Sequence, residues 1–423
     1  MVGGSLRDVL LGRPPADWDL ATDALPERLL ELFPEAAYEN RFGTVAVPRG
    51  GELYEVTTFR SDHDYADFRR PHRVEFTGSI ELDLARRDFT VNAMAWGAPA
   101  GAKASLVDPY AGRADVEARL LRAVGEPPAR FEEDALRMVR AVRLAATLGF
   151  GIEPATLAGI RARSNLVAHL SGERIATELD RLLAAPVPSV GLRLMSDTEL
   201  LEAVSPELAA QRGIPQNKVP DEDLWDHTLR SVDAAPPDRP IVRLAALLHD
   251  IGKPATFADG HFLGHEVVGA RLAGAFLDRL RAPRAVRDRV VELVRNHMFS
   301  YESSWSDAAV RRFIAKIGGL GDGALAELLA LREADNAGSG LPAGAGLSEL
   351  KARIDVELAA EAVLDRRGLA VDGTDLMGEL GLPQGPILGR ILEALLERVI
   401  ADPVLNDRPT LLLLARSMVP DAS

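Results

Sequence analysis

The segment Gly3-Gly4-Ser5-Leu6-Arg7-Asp8, followed by Asp17-Trp18-Asp19, decides how this chain begins to fold. Side chains two positions apart point the same way on a β-strand, so the carboxylates of Asp17 and Asp19 are predicted to converge. Converging carboxylates repel each other unless a hard cation lies between them, and Mg²⁺ is commonly held by one or two carboxylates plus substrate phosphates. The glycine turn and Arg7 are predicted to face such a phosphate, through free backbone N–H groups and a fixed positive charge.

The predicted secondary structure changes near residue 125, from mixed strands and helices to helices alone. Before that point, short β-like runs mix with helical runs, which indicates an α+β fold. The β-like runs are Gly43–Pro48, Leu53–Phe59 and Arg73–Phe76, and the helical runs are Pro26–Leu32 and Arg87–Ala95. From Pro127 onward the apolar residues recur at spacings of three and four, which is typical of helices. The prediction is a small N-terminal sheet with helices, followed by all-helical segments.

Four further motifs follow in order: Arg86-Arg87-Asp88-Phe89-Thr90-Val91-Asn92-Ala93, Asp108-Pro109-Tyr110-Ala111-Gly112-Arg113-Ala114-Asp115, Glu133-Asp134-Ala135-Leu136-Arg137 and Ser171-Gly172-Glu173-Arg174-Ile175. With the N-terminal segment, this set resembles the bacterial class II CCA-adding tRNA nucleotidyltransferases over nearly the whole chain. The resemblance implies a nucleotidyltransferase head (1–125), a base-recognising helical neck (126–190), an HD body (191–345) and a helical tail, beyond a glycine-rich joint, that binds tRNA (346–423).

The resemblance also implies an activity and its site residues. The expected reaction is the template-independent addition of C, C and A to tRNA 3′ ends from CTP and ATP, by two-metal nucleotidyl transfer at Asp17 and Asp19. Mg²⁺ is the expected ion. Gly4 and Arg7 are expected to cradle the triphosphate, and Arg87 to contact the triphosphate or the base. Two points stay open: Glu55 is a candidate third carboxylate, and Asp88 has the alternative role of capping a following helix.

Poly(A) polymerases and the CC-adding and A-adding specialists share motifs with the CCA-adding enzymes, so fewer sequence features distinguish them. Bacterial poly(A) polymerases share the head but usually carry a Gly-Arg-Arg-Phe-type segment, where this chain reads Arg41-Phe42-Gly43-Thr44-Val45. The loop Arg60–Pro71 is complete, which favours full CCA addition over CC addition alone. A poly(A) polymerase and an A-adding specialist remain alternatives. The family normally has an apolar strand ahead of the glycine turn, whereas this chain begins at Met1-Val2, so we expect a looser turn.

Asp134, Arg137, Arg140 and Arg143 recur every three residues in a predicted helical run, and all four are predicted to bind nucleotide. Asp134 and Arg137 would lie side by side, presenting acceptors beside a planar donor fork. Such a pair matches the Watson–Crick edges of cytosine and adenine, which both offer an amine donor beside a ring-nitrogen acceptor. In the family, this pair replaces a template. The alternative is an intrahelical salt bridge, worth only about 0.3–0.5 kcal/mol.

A second constellation resembles the HD phosphohydrolase superfamily, through Leu247-Leu248-His249-Asp250-Ile251-Gly252-Lys253. The resemblance implies a divalent metal site with N and O ligands, formed by His227, His249, Asp250 and Asp335. His265 and His297 fit the further ligands that some HD proteins use for a second ion or for phosphate. Two uses remain open: hydrolysis of 2′,3′-cyclic phosphates or 2′-phosphates at damaged tRNA ends, or a tRNA-binding body with little turnover.

The composition of the chain restricts how it can contact tRNA, which metal ligands it can use and where in the cell it is expected. The 423 residues carry a net charge of −14, so contact with tRNA must come from local basic clusters. The candidates are Arg69, Arg70 and Arg73; Arg161 and Arg163; and, in the tail, Lys351, Arg353, Arg366, Arg367 and Arg390. The absence of cysteine excludes disulfides and thiolate zinc sites. With no apolar run of membrane-spanning length, a cytoplasmic location without a membrane partner is expected, and the oligomeric state is left open.

Two readings from other classes compete with the nucleotidyltransferase. One is an HD hydrolase of nucleotides or phosphate esters with a degenerate head, and the other is a non-catalytic RNA-binding protein. The intact Asp17, Asp19, Arg87, Asp134 and Arg137 argue against both.

Overall fold

The structure is a computed structural model that describes residues 1–15, 17–40, 43–66, 70–99, 101–216, 218–319, 321–342, 344 and 346–419, without the side chains of 39, 40, 62–66 and 70–73. Three sequence features therefore lie outside the described residues: Arg41 and Phe42, the Asp67–Arg69 part of the loop, and the side chains of Arg70 and Arg73. The chain divides into a first unit (Met1–Arg212 with Phe276–Ala282) and a second unit (Gly213–Ala275 with Pro283–Ser423).

All the strands among the described residues lie in the first unit. They are β1 (Asp19–Thr22), β2 (Ala37–Asn40), β3 (Thr44–Arg49), β4 (Glu52–Thr58), β5 (Arg60–Ala66), β6 (Arg70–Phe76), β7 (Ala95–Gly97), β8 (Ser105–Val107), β9 (Leu120–Leu121) and β10 (Gly151–Ile152). The main sheet has the order β1-β4-β3-β2, with β1 parallel to β4 and the other pairs antiparallel. Its buried face carries Val45 and Val47 against Leu29. The three predicted β-like runs are confirmed.

The helices of the first unit are mostly short. They are α1 (Gly3–Leu10), α2 (Pro26–Leu32), α3 (Ile80–Ala85), α4 (Gly112–Glu117), α5 (Pro127–Glu133), α6 (Leu136–Leu148), α7 (Pro154–Arg163), α8 (Gly172–Leu183), α9 (Pro188–Asp197), α10 (Leu200–Val204) and α11 (Pro206–Ala209), with 3₁₀ turns at Thr90–Asn92 and Ser164–His169. Helix α6 ends where Gly149 adopts φ +69°, which a residue without a side chain accepts at little cost. The α+β class predicted from the sequence is confirmed.

The predicted helical run Arg87–Ala95 is wrong. In its place, Phe89 is extended, Thr90–Asn92 form one 3₁₀ turn and Ala95 begins β7. The apolar residues of this stretch are buried on several sides rather than along one stripe: Phe89, Val91, Ala93 and Met94 are all fully buried. An amphipathic helix exposes one face, whereas residues 88–95 of this segment are all buried.

The described part of the second unit is helical. Its helices are α12 (Leu224–Ala234), α13 (Pro240–Leu248), α14 (Lys253–Thr256), α15 (His265–Arg279, whose last turn belongs to the first unit), α16 (Arg284–Asn296), α17 (Asp307–Gly318), α18 (Ala324–Gly338), α19 (Ser348–Ala359), α20 (Gly373–Leu380), α21 (Pro386–Ala401) and α22 (Arg408–Met418), with 3₁₀ turns at Arg366–Gly368 and Pro403–Leu405. Asp223 and Asp226 form a capping box that starts α12. Among the described residues no helix has the length and apolarity needed to cross a membrane.

A buried ion pair holds the tail helices together. The Arg311 guanidinium on α17 donates to both carboxylate oxygens of Glu357 on α19, at 2.9 and 3.0 Å, and to the carbonyls of Ile400 and Ala401 at the end of α21. Both side chains are about nine-tenths buried. Removing either partner leaves an uncompensated charge in the interior.

We expect Arg311→Met to lower the free energy of unfolding by about 3 kcal/mol, because the buried Glu357 carboxylate loses its partner. The matched control is the next residue: Arg312 pairs with Glu397 on the surface, and Arg312→Met should cost less than about 1 kcal/mol. Urea titrations followed by circular dichroism measure both. Equal losses in the two variants would contradict a structural role for the buried pair.

Candidate functional sites

The glycine segment begins a helix rather than a free turn, which corrects the prediction made from its sequence. Gly3 adopts φ +69°, and its N–H donates to the carbonyl of Met94. A side-chain carbon at Gly3 would lie 2.7 Å from Nη1 of Arg87 and 3.3 Å from Oδ2 of Asp19. Glycine is thus required because a guanidinium and a carboxylate both pack against this backbone. The first turn of α1, Asp19 and Arg87 therefore form one site.

The two predicted metal ligands lie close together, but not on one strand. Strand β1 begins at Asp19, and Asp17 lies in an exposed bend before it. Burial raises the pKa of Asp19, the nearby Asp17 carboxylate raises it further, and Arg87 and Arg7 act in the opposite direction. Glu55 on β4 is the register partner of Asp19. Carboxylate oxygens are the acceptors that hard divalent cations prefer, so Asp17 and Asp19 fit such an ion, but among the described residues Glu55 does not join them in a three-ligand group of the kind that the second unit contains.

Arg7 and Arg87 are both held by protein groups. Arg7 is buried, and its guanidinium donates to Oδ1 of Asn92 at 2.7 Å and to Asp8. Gly4 lies beside this guanidinium, since a side-chain carbon at Gly4 would stand 3.5 Å from its Nη2. The two residues that were predicted to cradle the triphosphate are therefore neighbours on α1, with Gly4 in its first turn and Arg7 in its last turn.

Arg87 donates to Asp83 at 3.1 Å, and the Asp83 side chain is 1% exposed. Burial opposes the charge of Asp83, but Arg86 and Arg87 outweigh it and lower the pKa of that carboxyl. Asp83 was missed in the sequence, where it reads as an ordinary helix residue. It holds Arg87 in place beside the first turn of α1.

Asp88 joins the head to the neck rather than capping a helix of its own segment. Its carboxylate accepts from the Asn92 amide at 3.0 Å and from Arg140 of α6, at 2.9 Å to Nε and 2.7 Å to Nη2. Burial opposes its ionisation, but the charge of Arg140 and the hydrogen bonds from Asn92 and Arg140 hold the pKa of Asp88 well below its usual range. Asp88 is therefore an anion inside the protein.

The predicted helical stripe is broken at Asp134, which corrects the expectation that Asp134 and Arg137 share one helix face. Asp134 has extended backbone angles, φ −148° and ψ 104°, between α5 and α6. Its carboxylate accepts from the N–H of Leu136 at 3.1 Å and from Arg174 of α8 at 2.7 Å. A short polar side chain at such a position satisfies the free N–H groups that begin the next helix.

The three arginines of the stripe do lie on α6, and each reaches a different partner. Arg137 donates to the Glu133 carboxylate and to the carbonyls of Arg130 and Arg86. Arg140 reaches Asp88, and Arg143 donates to Glu178 of α8 at 2.6 Å. Burial lowers the pKa of Arg143, although Glu178 opposes that effect.

Two functional candidates in the neck escaped the sequence reasoning. Arg174 holds Asp134, and Glu178 lies 4% exposed between Arg143 and Arg140. They stand four positions apart on α8, so both project from one face of that helix. In the sequence, only this spacing of four, in the segment that begins at Ser171, indicated that Arg174 and Glu178 act together.

The second unit brings all six predicted HD residues together in one buried cluster. Nε2 of His227 lies 3.0 Å from Nε2 of His249, and 3.3 Å from both Oδ2 of Asp250 and Oδ1 of Asp335. On the other side of Asp250, its Oδ1 lies 3.3 Å from His265 and 3.6 Å from His297. Two ligand groups therefore share Asp250: one with His227 and His249, the other with His265 and His297.

Backbone carbonyls orient three of these imidazoles. Nδ1 of His249, His265 and His297 lies 2.7–2.8 Å from the carbonyl oxygens of Ala246, Phe262 and Val294, respectively. A carbonyl only accepts, so each Nδ1 carries a proton and each ring turns its Nε2 toward the carboxylates. This arrangement is how proteins present histidine to a metal ion, so the residues fit a divalent ion.

The charges of the cluster also suit a cation. Burial lowers the pKa of His249, which keeps that ring neutral. Burial opposes the charge of Asp250, but His249, Lys253 and the hydrogen-bonded imidazoles hold its pKa well below the usual range. Burial likewise opposes the charge of Asp335, and the hydrogen bond from His227 leads the effects that lower its pKa. Burial opposes the charge of His227, but its hydrogen bonds to Asp250 and Asp335 raise its pKa. Imidazoles thus surround two ionised carboxylates.

Most of the predicted tRNA-contacting cations in the described regions have an acidic or backbone partner. Arg163 pairs with Glu132, Arg161 donates to the carbonyl of Asp197, and in the tail four cations pair with carboxylates: Lys351, Arg353, Arg366 and Arg367. The role of the tail and of these clusters in binding tRNA stays a prediction.

Known families match three parts of the chain. A poly A polymerase head domain model matches residues 1–122, a probable RNA and SrmB-binding site of polymerase A matches 149–212, and an HD domain matches 221–337. The head geometry and these matches together define a nucleotidyltransferase of the poly(A) polymerase class that also carries an HD domain. Both kinds of domain usually use divalent metals.

Relatives identify the family within that class. The CCA-adding enzyme of Geobacillus stearothermophilus is 34% identical over 96% of this chain and 90% of its own length, and that of Geobacillus kaustophilus (strain HTA426) is 35% identical with the same coverage. The crystal structure of the Bacillus stearothermophilus CCA-adding enzyme in complex with CTP is 30% identical, with a TM-score of 0.72, over 98% of this chain and 92% of that one. This chain belongs to the CCA-adding enzyme family.

The buried Asp88 carboxylate generates a prediction about pH. Its pKa is lowered in the folded protein, so its ionised form stabilises the fold fully above the unfolded pKa of about 3.9, and that contribution falls as the pH drops below about 4. We expect Asp88→Asn to lower the free energy of unfolding at pH 7, and the difference from wild type to be about 1 kcal/mol smaller at pH 3.

Urea titrations at the two pH values measure this change, with the exposed Asp23→Asn as the control that should show neither effect. A difference between Asp88→Asn and wild type that stays constant with pH would contradict an ionised Asp88.

Proposed function

We propose that this protein adds C, C and A in turn to the 3′ end of tRNA, using CTP and ATP. The observation that carries the proposal is the meeting of Asp19, Asp17 and Arg87 at the start of α1, in a chain that belongs to the CCA-adding family. The CTP complex of the relative supports CTP as a substrate. With such substrates, a cytoplasmic location is part of the proposal.

Nucleotidyl transfer requires an activated 3′-hydroxyl and neutralisation of the charge on the departing pyrophosphate. The 3′-hydroxyl oxygen of the tRNA attacks the α-phosphorus, the bond to the β-phosphate oxygen breaks, pyrophosphate leaves, and the hydroxyl proton passes to water. Mg²⁺ ions held by Asp17 and Asp19 would supply charge neutralisation for the attacking oxygen and for the pyrophosphate. Gly4 and Arg7 would cradle the triphosphate, and Arg87, which lies against Gly3, would contact the triphosphate or the base.

The base-reading role is assigned to Asp134 and Arg137. An ionised carboxylate has about four lone-pair sites, and two neighbours occupy only part of that capacity at Asp134. Arg174 holds the Asp134 side chain in the break between α5 and α6, and Glu133 holds the Arg137 side chain on α6. A fixed acceptor and a fixed donor fork would accept cytosine and adenine and refuse guanine and uracil. Arg140 and Arg143 then support α6 through Asp88 and Glu178.

One assay separates this proposal from the poly(A) polymerase and the A-adding specialist. The protein is incubated with tRNA lacking CCA, tRNA ending in CC, or an unrelated RNA, and with one labelled nucleoside triphosphate at a time. Incorporation of C and then A on the first substrate is expected. Incorporation of AMP into the CC-ended tRNA alone indicates an A-adding specialist. Tails of several A residues on any RNA indicate a poly(A) polymerase.

A second function is proposed for the HD cluster: metal-dependent hydrolysis of a phosphate ester, in which water adds across a P–O bond to give an alcohol and a phosphate. Four imidazoles aimed at two buried carboxylates support it. The bound divalent ion would supply charge for the phosphate and acidity for the attacking water. The cluster shares no residue with the head site.

We expect Asp19→Ala to reduce CTP and ATP incorporation to background while tRNA binding is retained, because the ion at this site loses a ligand. Incorporation of labelled nucleotide and a filter-binding assay with tRNA measure the two properties. The control is Asp23→Ala, an exposed carboxylate just beyond β1, which should keep wild-type incorporation. Wild-type rates in Asp19→Ala would rule out this site.

We expect Asp134→Ala and Arg137→Ala to raise UTP or GTP use relative to CTP and ATP, by roughly 1–3 kcal/mol of lost discrimination per group. Ratios of kcat/KM for the four triphosphates measure the change. Glu132→Ala, an exposed neighbour that pairs with Arg163, is the control. Full selectivity in both variants would mean that these residues are structural and that the base is read elsewhere.

We expect the double variant His249→Ala, Asp250→Ala to lose bound divalent metal and all phosphate-ester hydrolysis, with nucleotide addition kept within several-fold of wild type. Metal content after dialysis and both activities are measured, with the exposed His169→Ala as the control that keeps its metal. Collapse of nucleotide addition in a protein with an intact helical spectrum would contradict two independent sites.

A further inference from the structure

Asp83 is a buried carboxylate of α3 that lies in contact with Arg87. Helix α3 begins after Ser79, whose hydroxyl accepts from the N–H of Leu82 at 3.3 Å. A charge in the interior must be paired, and two consecutive arginines pair with Asp83. Its Oδ1 accepts from Nε and Nη2 of Arg86 at 3.0 and 2.8 Å, whereas its Oδ2 accepts from Nη2 of Arg87 at 3.1 Å. The two carboxylate oxygens therefore hold different arginine side chains.

This division leaves several donors of Arg87 available to a ligand. A guanidinium carries five N–H donors in a fixed fork. Because Arg86 occupies Oδ1 of Asp83 with two donors, Arg87 is held through one nitrogen rather than through a bidentate contact. Nη1 of Arg87 lies 3.5 Å from the carbonyl of Asn92, and its Nε is buried without a hydrogen-bond partner in the part of the chain that the structure describes. A buried donor without an acceptor costs free energy, so an oxygen of a bound triphosphate would stabilise this side chain.

A second carboxylate lies close enough to compete for Arg87. A side-chain carbon at Gly3 would contact both Nη1 of Arg87 and Oδ2 of Asp19, so both atoms approach the same point of the Gly3 backbone. The ion pair that Arg87 forms among the described residues is with Asp83. Without Asp83, the guanidinium would be an unpaired charge near Asp19, and pairing with Asp19 would become favourable. Such a pair would neutralise the carboxylate that is proposed to bind the divalent ion.

We propose that Asp83 is a positioning residue of the nucleotidyl-transfer site. Its carboxylate holds Arg87 toward the triphosphate and keeps the guanidinium from pairing with Asp19, which thereby stays available to a divalent ion. Asp83 acts through Arg87 and not on the phosphates or the ion itself. The proposal rests on the nucleotide addition proposed above and adds one residue to the machinery of that site.

Steady-state kinetics of the full-length protein test the effect on the triphosphate. Asp83→Asn removes the charge and keeps the shape of the side chain. We expect it to raise KM about tenfold for CTP on tRNA lacking CCA and for ATP on tRNA ending in CC, because one charge-assisted contact orients Arg87 for both nucleotides. The matched control is Glu81→Gln, which changes an exposed carboxylate of the same helix and should leave both KM values at the wild-type level.

Binding of Mn²⁺, followed by electron paramagnetic resonance without nucleotide, tests the effect on Asp19 without turnover. The background is the full-length His249→Ala, Asp250→Ala protein, and Asp19→Ala in this background shows which binding belongs to the head. We expect Asp83→Asn to bind Mn²⁺ several-fold more weakly, since the released Arg87 pairs with Asp19. Adding Arg87→Met removes that competitor, so the protein with both substitutions should regain the Mn²⁺ affinity of the background.

The same pair of substitutions separates positioning from a general structural role. In the Arg87→Met protein, Asp83→Asn should raise KM for CTP by less than about twofold, because the residue through which Asp83 acts is gone. An equal effect of Asp83→Asn in both backgrounds, or an Mn²⁺ affinity that Arg87→Met does not restore, would mean that Asp83 only stabilises α3 and overturns the proposal. If Asp83→Asn does not fold, Asp83→Glu takes its place, since it keeps the charge, displaces it by one methylene and should act in the same directions.

The outcomes also distinguish this proposal from the nucleotide addition on which it rests. A wild-type protein that incorporates neither C nor A overturns nucleotide addition, while the Mn²⁺ titrations still report whether Asp83 keeps Arg87 away from Asp19. Wild-type KM values and Mn²⁺ affinity in Asp83→Asn, in a protein that adds C and A, overturn the positioning role alone.

Discussion

The buried negative charge of Asp88 is the constraint on which the arrangement of the first unit depends. A carboxylate inside a protein is tolerated only if donors surround it, and here they come from Arg140 of α6 and the amide of Asn92. The oxygen of that amide accepts from Arg7 of α1. None of these elements can shift without leaving a buried polar group unpaired. One network therefore sets the position of α1, proposed to face the triphosphate, relative to α6, proposed to read the base.

The second unit also buries carboxylates, but their neighbours are mostly histidines rather than arginines. Asp250 and Asp335 are also buried, but imidazoles whose Nδ1 protons are committed to backbone carbonyls provide most of their neighbours. Lys253, Lys218 and Arg332 also approach these two carboxylates, so their neighbours include both imidazoles and cations. In the neck, by contrast, the buried Asp88 and Glu178 carboxylates pair directly with arginines. The identity of the partner, rather than burial itself, distinguishes the structural anions of the neck from the carboxylates that are proposed to bind metal.

The ligand types and their order were readable from the chain. The carboxylates at Asp17 and Asp19, the adjacent His249 and Asp250 and the glycines near the N-terminus have short-range spacings that carry chemical meaning, and the structure brings each set together. The expectations that proved wrong concerned local geometry. The run at Arg87–Ala95 folds into extended and 3₁₀ backbone because neighbours bury most of it. The stripe from Asp134 to Arg143 breaks at its first residue because Asp134 is extended between α5 and α6.

The sequence by itself determined the α+β class, the family resemblance and the residue types at both sites, since these depend on composition, periodicity and motif order. Only the tertiary structure decided that Arg174 holds Asp134, that Glu178 lies between two arginines, and that Arg87 packs against Gly3 beside Asp19. These residues come from segments far apart in the chain, and no local pattern records which of them meet. Their contacts form because buried charges must be paired and apolar surfaces must be covered, and both conditions depend on how the whole chain packs.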